Sequence, residues 1–214
     1  MRKCVIFCAA GFDGLIEPLT GEELVIAADG GLLHTQQLGL SPQIILGDFD
    51  SLEYIPTGAN VFPVEKDDTD SMLAVRQGLK MGYQEFLLFG CLDGDRLDHT
   101  LANFQTLLYL SNRGATGTLV GSRYIVTTIC KERLSFSSDF AGILSLFCLG
   151  KPARGVTIRG MKYNLENASL TPDFPLGVSN HFLGNPAEVN VSEGDVIAMW
   201  DRENGFAERS SCLG

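Results

Sequence analysis

LVIAADGGLLHTQQLGLSPQIILGDFDS (residues 24–51) holds a complete strand–helix–strand passage, and its reading decides the fold. Leu24-Val25-Ile26-Ala27-Ala28 is a short, unbroken apolar run, the pattern of a strand buried on both faces. It ends at Asp29-Gly30-Gly31, and the helix-like LLHTQQLGL follows. Gln43 to Leu46 is a second apolar run, and it stops at a pair of carboxylates, Asp48 and Asp50. Short apolar strands separated by helices indicate a parallel sheet covered on both faces.

The same alternation extends in both directions. CVIFCAA (4–10) reads as a strand, Asn60 to Val64 as another, Glu85 to Phe89 as the next, and Thr118-Leu119-Val120 closes the series. Between them the spacing predicts a helix over Thr69–Met81, with Met72, Val75 and Leu79 on one side. A second is predicted over Asp98–Ser111, with Leu101, Phe104 and Leu108 in its stripe. After about residue 123 strand-like runs dominate: Tyr124–Cys130, Arg133–Phe136, Gly142–Leu149, Gly155–Arg159, Glu188–Val191 and Asp195–Trp200. Gly, Pro, Asn and Ser punctuate them, which suggests an antiparallel sandwich or barrel with Trp200 in its core. The expected organisation is an α/β domain over 1–123, with helices on both faces of a parallel sheet, then a β domain over 124–214.

Composition narrows the function classes. Among 214 residues, Asp plus Glu number 26 against 16 Lys plus Arg, a formal net charge of −10. That argues against nucleic-acid and anionic-membrane partners, which basic patches hold. A nucleotide, whose phosphates can arrive carrying Mg²⁺, is not excluded. No apolar run approaches the roughly 18–20 residues of a membrane span. MRKCVIFCAAG is broken by Gly11 and Asp13 and reads as a first strand rather than a signal peptide. The six cysteines form no CxxC and sit mostly in apolar runs, as small hydrophobes of a reducing compartment, hence a cytoplasmic location. His34, His99 and His181 pair with no cysteine at zinc-ligand spacing.

Ligands of open parallel sheets bind at the carboxyl ends of the strands. Asp29 ends the second strand, Asp48 and Asp50 the third; Asp67, Asp68 and Asp70 follow the fourth, Arg96 and Asp98 the fifth. All fall on one rim. Clustered carboxylates suit a hard cation, and Mg²⁺ takes oxygen ligands while keeping waters and phosphates in its shell. Asp48, Asp50 and Asp70 are the candidate ligands, since both side chains of an extended Asp-x-Asp point to one side. Structural roles stand beside these: an Asx turn at Asp48 and Asp50, dipole complementation at Asp70, turn chemistry at Asp29, an ion pair of Arg96 with Asp98, a surface pair at Lys66, and a first-turn helix residue at His99. Gly30-Gly31 and Gly90-x3-Gly94 free backbone N–H groups for phosphate oxygens. Neither GxGxxG nor GxxxxGK[ST] occurs.

AADGG (27–31), GDFDS (47–51), EKDDTD (65–70) and GDRLDHTLAN (94–103), followed by GMKYNLEN (160–167) and GVSN (177–180), together resemble thiamin pyrophosphokinase of the bacterial type, over about residues 4 to 200. The resemblance implies an enzyme that transfers the terminal diphosphate of ATP to the hydroxyl of thiamin, giving thiamin diphosphate and AMP with Mg²⁺ as cofactor. It implies a homodimer with the site between two chains, an N-terminal α/β catalytic domain and a C-terminal β-sandwich that helps to hold thiamin. Carried over by motif, Asp48, Asp50 and Asp70 correspond to the Mg²⁺ carboxylates. Asp29, Gly30, Lys66, Asp67, Gly94, Arg96 and Asp98 correspond to contacts of ATP or its phosphates, and Arg96 and Asp98 join the metal carboxylates as catalytic. Ser179, Asn180 and the aromatic Tyr163 correspond to the thiamin pocket.

Two features depart from the family pattern. Asp95 stands where relatives carry Gly, Thr or Ser, and Pro172 and Pro175 interrupt the chain ahead of GVSN. Rival readings are a Mg²⁺-dependent phosphohydrolase, a nucleotide-using sugar transferase, or a thiamin or nucleotide sensor without catalysis. The late Lys motif of aspartyl phosphatases is not evident, a sugar transferase usually needs more chain, and a sensor would not need the full set of metal-site motifs.

Overall fold

A computed structural model describes residues 2–49, 54–61 and 68–211. The chain separates into two compact units, Met1–Ser122 and Arg123–Gly214.

The first unit contains β1 (Lys3–Phe7), β2 (Leu24–Ala28), α1 (Gly31–Gln37), β3 (Ile44–Gly47), β4 (Asn60–Val61), α2 (Asp70–Lys80), β5 (Glu85–Phe89), α3 (Leu97–Ser111) and β6 (Thr116–Val120). The strands lie in the order β6-β5-β1-β2-β3-β4, every pairing parallel. From β1 to β4 the chain moves one way across the sheet; through α2 and α3 it moves the other way. Right-handed crossovers therefore place α1 on one face and α2 with α3 on the opposite one. All five residues of β2 are buried, and Phe7, Phe86, Phe89, Ile6, Ile26 and Leu88 are among the largest fully buried side chains.

Two features differ from the sequence expectation. The strand expected over 4–10 ends at Phe7: Cys8 and Ala10 still donate to the carbonyls of Phe89 and Gly90, both at 2.9 Å, but as loop beyond the ladder. On α2 Val75 is buried as expected but its buried neighbours are small, and on α3 the buried apolar residues are Leu107 and Leu110 rather than those of the expected stripe. On α2 the buried residues are Ser71, Ala74, Val75 and Gly78; on α3 they are Asn103, Thr106, Leu107 and Leu110, with Leu101 54% exposed. Close approach is the reason on α2. A Cβ at Gly78 would stand 2.5 Å from the Phe86 ring, so the bulkier Met72 and Leu79 are left to the flanks.

The second unit holds β7 (Tyr124–Ile129), β8 (Glu132–Phe136), β9 (Ile143–Phe147), β10 (Ala153–Arg159), β11 (Leu165–Leu170), β12 (Asn180–His181), β13 (Ala187–Val191), β14 (Val196–Asp201), the 3₁₀ turn Arg202–Asn204 and β15 (Glu208–Ser211). They form two antiparallel layers, β12-β9-β14-β7 and β11-β10-β13-β8-β15. Phe136 of one layer meets Trp200 of the other edge to face, ring centroids 5.7 Å apart, with Phe140 and Phe182 completing the cluster. Trp200 is core, as expected, and its Nε1–H donates to the Gly205 carbonyl at 2.9 Å. The Pro172–Pro175 segment forms a turn after β11, closed by a Thr171–Phe174 bridge.

Candidate active site

β1 and β5 are neighbours, yet the chain leaves β1 for one side of the sheet and β5 for the other. Such a switch point opens a crevice at the carboxyl ends of the two strands. A cavity of about 330 Å³ lies there, walled by Cys8 and Ala10 after β1, Asp29 after β2, Thr69, Asp70 and Ser71 at the start of α2, Gly90 to Arg96 in part, and His99, Thr100 and Asn103 on α3.

Local sequence explains how each wall residue is held. Asp29 turns the chain from β2 into α1 in the left-handed region, φ 49°, which Asp tolerates better than most residues. Its N–H donates to the Leu46 carbonyl at 2.8 Å, so the carboxyl ends of β2 and β3 are tied together. Gly31 admits no side chain: a Cβ would lie 1.9 Å from the Phe7 carbonyl oxygen, and that contact lets α1 start against β1. Gly90, φ 64°, folds back over Cys8 in the same manner, 2.3 Å from its carbonyl oxygen for a would-be Cβ. Thr69 caps α2 by accepting from the Met72 N–H at 3.2 Å, which sets Asp70 in the first turn at the positive end of the helix. The buried Asn103 donates to the Cys91 carbonyl and accepts from the Ser71 hydroxyl, both at 2.7 Å, and so joins α2, α3 and the loop after β5.

The electrostatics favour a hard ligand. Burial, then the charges of Asp70 and Asp29, push the Cys8 thiol up to about 12, and burial raises Cys91 well above the ordinary thiol value. Both carboxylates therefore act on one point, and neither sulfur is offered as a thiolate. The donors that remain are carboxylate, hydroxyl and backbone groups and the Asn103 amide, with the His99 imidazole on the wall, a set dominated by oxygen and suited to Mg²⁺ more than to a soft metal. At the cavity mouth Arg96 grips Asp98, Nε to Oδ1 at 3.2 Å and Nη2 to Oδ2 at 2.6 Å, and this pair holds the Asp98 carboxyl below its usual range.

Asp29, Asp70, Gly94 and Arg96 line the cavity, and so does Asp95, the departure from the family pattern. Gly30 is the N-cap of α1. Asp48 is half-buried just after β3, beside Gly47, where a Cβ would stand 3.0 Å from the Asp29 Cα. Asp48 and Asp98 are not part of the cavity wall. Asp50, Lys66 and Asp67 lie outside the described residues. Among the described residues no three His, Cys, Asp or Glu side chains are grouped as metal ligands. Sequence reasoning gave no role to Cys8, Ser71, Cys91 or Asn103. Asn103 lies inside a motif already quoted, but the apolar stripe read from the sequence, Leu101, Phe104 and Leu108, turns it away from the sheet, so its role was not legible.

In the second unit Tyr163 and Asn180 meet although they stand 17 positions apart: the Tyr163 N–H donates to Asn180 Oδ1 at 2.9 Å. Ser179, φ 60°, precedes β12, and its N–H donates to the buried Ser145 hydroxyl at 3.1 Å. Tyr163 is 57% exposed, with the Lys162 ammonium 5.3 Å from its ring centroid. It is a surface aromatic, outside the sandwich core.

Two family models match the chain: the thiamin pyrophosphokinase catalytic domain over residues 17–117 and the thiamin pyrophosphokinase vitamin B1 binding domain over residues 129–196. The thiamine pyrophosphokinase of Bacillus subtilis (strain 168) is 26% identical over 210 residues, 92% of this chain and 98% of the relative. Among solved structures, thiamine pyrophosphokinase from Bacillus subtilis superposes with a TM-score of 0.80 at 22% identity, covering 94% of this chain and 99% of that one. A thiamin pyrophosphokinase family protein from Enterococcus faecalis does so with 0.77 at 24% identity, covering 94% and 99%.

Proposed function

The chain belongs to the thiamin pyrophosphokinase family, and from that premise we infer that it transfers the terminal diphosphate of ATP to the hydroxyl of thiamin, giving thiamin diphosphate and AMP. The observation that carries this reading is a convergence: the AADGG, TD and GDRLDH motifs, far apart in the chain, wall one cavity at the switch point.

Diphosphoryl transfer needs positioning and charge neutralisation more than covalent help. In this reading the triphosphate lies along the cavity, and Arg96, on its wall and paired with Asp98, supplies positive charge to the phosphate oxygens where charge develops. Gly94 and the turn at Gly30 let backbone N–H groups approach the phosphates. Asp48 and Asp70, with Asp50, would hold Mg²⁺. The chemistry Mg²⁺ supplies when bound is neutralisation of the triphosphate charge. Thiamin is a cation and suits the acidic rim. Tyr163 offers its ring face, a cation–π attraction worth roughly 0.5–2 kcal/mol, and Ser179 precedes the Asn180 that holds the Tyr163 backbone. A rim carboxylate accepts the proton of the thiamin hydroxyl.

The reading takes the enzyme as a homodimer with its site at the chain interface, supported by the family resemblance, and as cytoplasmic, supported by the free thiols Cys4, Cys8, Cys91 and Cys148. Sedimentation at micromolar concentration checks the first. Phosphorus NMR of the protein with ATP, thiamin and Mg²⁺ tests the activity: thiamin diphosphate and AMP appear one to one. ADP or free phosphate as product, or no turnover, would overturn it in favour of a different transferase, a phosphohydrolase or a sensor.

A further inference from the structure

The Asn180 carboxamide is almost fully used inside the second unit. Its Oδ1 accepts from the N–H groups of Tyr163 and His181, both at 2.9 Å, and its Nδ2 donates to the Tyr163 carbonyl at 2.6 Å. A main-chain N–H can only donate and a carbonyl only accept, so the two contacts to Tyr163 fix which end of the amide is which. The residue is 4% exposed. Presenting C=O and N–H side by side to the N–H and C=O of one residue copies a rung of a β ladder. The copy falls where a rung is needed: Met161 bridges Phe182, the Lys162 N–H donates to the His181 carbonyl at 3.0 Å, and the side chain of Asn180 adds the next pairing as the chain turns away. The backbone of Tyr163 is thereby held while its ring stays at the surface. The carboxamide keeps one N–H beyond these contacts, too little to recognise a ligand that Oδ1 would also have to serve.

We infer that Asn180 is a positioning residue for thiamin recognition: it holds the main chain of Tyr163, and through it the exposed ring, rather than touching thiamin itself. The inference deepens the reading of the second unit as the thiamin-binding part and rests on it.

Asn180→Asp is the informative variant. It is nearly isosteric and keeps an acceptor for both N–H groups, but it loses the donor and sets a carboxylate against the Tyr163 carbonyl. Steady-state kinetics are compared for the wild type, Asn180→Asp, Tyr163→Ala and the double variant. A positioning role raises the KM for thiamin about tenfold in Asn180→Asp, leaves the KM for ATP and kcat within about twofold, and makes the double variant no worse than Tyr163→Ala alone. Direct contact predicts the reverse: a carboxylate facing a cationic ligand maintains or tightens thiamin binding, and the two substitutions multiply. Either of those results overturns the inference.

A measurement on the wild type guards against a variant that fails to fold. Amide exchange of Tyr163 and the Asn180 side-chain NH₂ is followed with and without thiamin. Protection of both that survives saturation with thiamin supports the clamp; loss of the Tyr163 protection on binding would mean that Asn180 turns to the ligand, and sinks it. Failure of the wild type to make thiamin diphosphate would strike the activity reading instead, while the exchange data still decide whether the clamp holds when thiamin binds.

Discussion

Asp70 combines the demands placed on a single residue at this site. It is the first residue of α2, set there by the Thr69 cap, and its charge reaches the buried Cys8 across the cavity. A carboxylate at a helix N-terminus is tolerated beside Asp29 because the helix end supplies positive potential, worth typically about 0.3–1 kcal/mol. Asp70→Asn keeps the shape and removes the charge. Diphosphate transfer should fall by at least about 100-fold, with thermal midpoint shifted by no more than a few degrees. A readout without turnover accompanies it: the Cys8 thiol should titrate at lower pH, since one of the charges holding it up is gone. A variant that keeps wild-type turnover would remove Asp70 from the metal-binding set. Gly31 makes the opposite kind of demand, for an absent side chain. Gly31→Ala drives a Cβ into the Phe7 carbonyl and should cost about 3 kcal/mol or more, measurable by denaturant unfolding.

At the scale of elements, the cavity depends on how α2, α3 and the loop after β5 are joined, and Asn103 makes that joint. Asn103→Leu leaves the buried Ser71 hydroxyl and the Cys91 carbonyl without these partners. The expected loss is about 2–4 kcal/mol in unfolding free energy, together with weaker binding of a nonhydrolysable ATP analogue in calorimetry, because Asp70 and Arg96 lie on the elements that come loose. A stable Asn103→Leu with unchanged nucleotide affinity would show that the joint does not matter to the cavity. The same elements show what the sequence could convey. The strands of the parallel sheet were legible because burial on both faces writes an unbroken apolar run, as in Leu24–Ala28. Helix faces were read only in part: Val75 is core as expected, but Met72 and Leu101 look like core and are not, since close packing against Phe86 selected Ala74 and Gly78 on α2 and the buried leucines of α3 are Leu107 and Leu110. β11 and β15 went unseen for a different reason. Both lie at sheet edges with few buried side chains, so backbone ladders hold them, aided at β15 by Arg209 on Glu132 and the Thr128 carbonyl. The meeting of Asp29 and Asp70 in one cavity was legible because chain order alone puts every strand end of a parallel sheet on one edge. The clamps by Asn103 and Asn180 were not, since an amide that replaces a backbone partner leaves no periodic trace.

For the whole molecule, the balance of charge and buried thiols sets a dependence on pH that none of the single sites shows. Cys4 and Cys8 are buried, and burial moves each thiol from its ordinary value near 9 to about 12. In the unfolded chain these thiols release their protons near pH 9; in the folded chain they keep them to about 12. Unfolding therefore releases protons between pH 9 and 12, and stability falls as pH rises through that window, while below pH 9 the contribution is fully present. Each thiol can add at most one proton to the slope, about 1.4 kcal/mol per pH unit. Lysines and tyrosines titrate in the same range, so the comparison of variants isolates the thiols. Guanidinium unfolding of the wild type and of Cys4→Ala at pH 8, 9.5 and 10.5 should give a shallower decline for the variant, even though the lost packing lowers its stability at every pH. Parallel declines would mean that Cys4 titrates in the fold as it does in the open chain, and that the first unit admits water where the packing of Cys4 against α2 leaves no room for it.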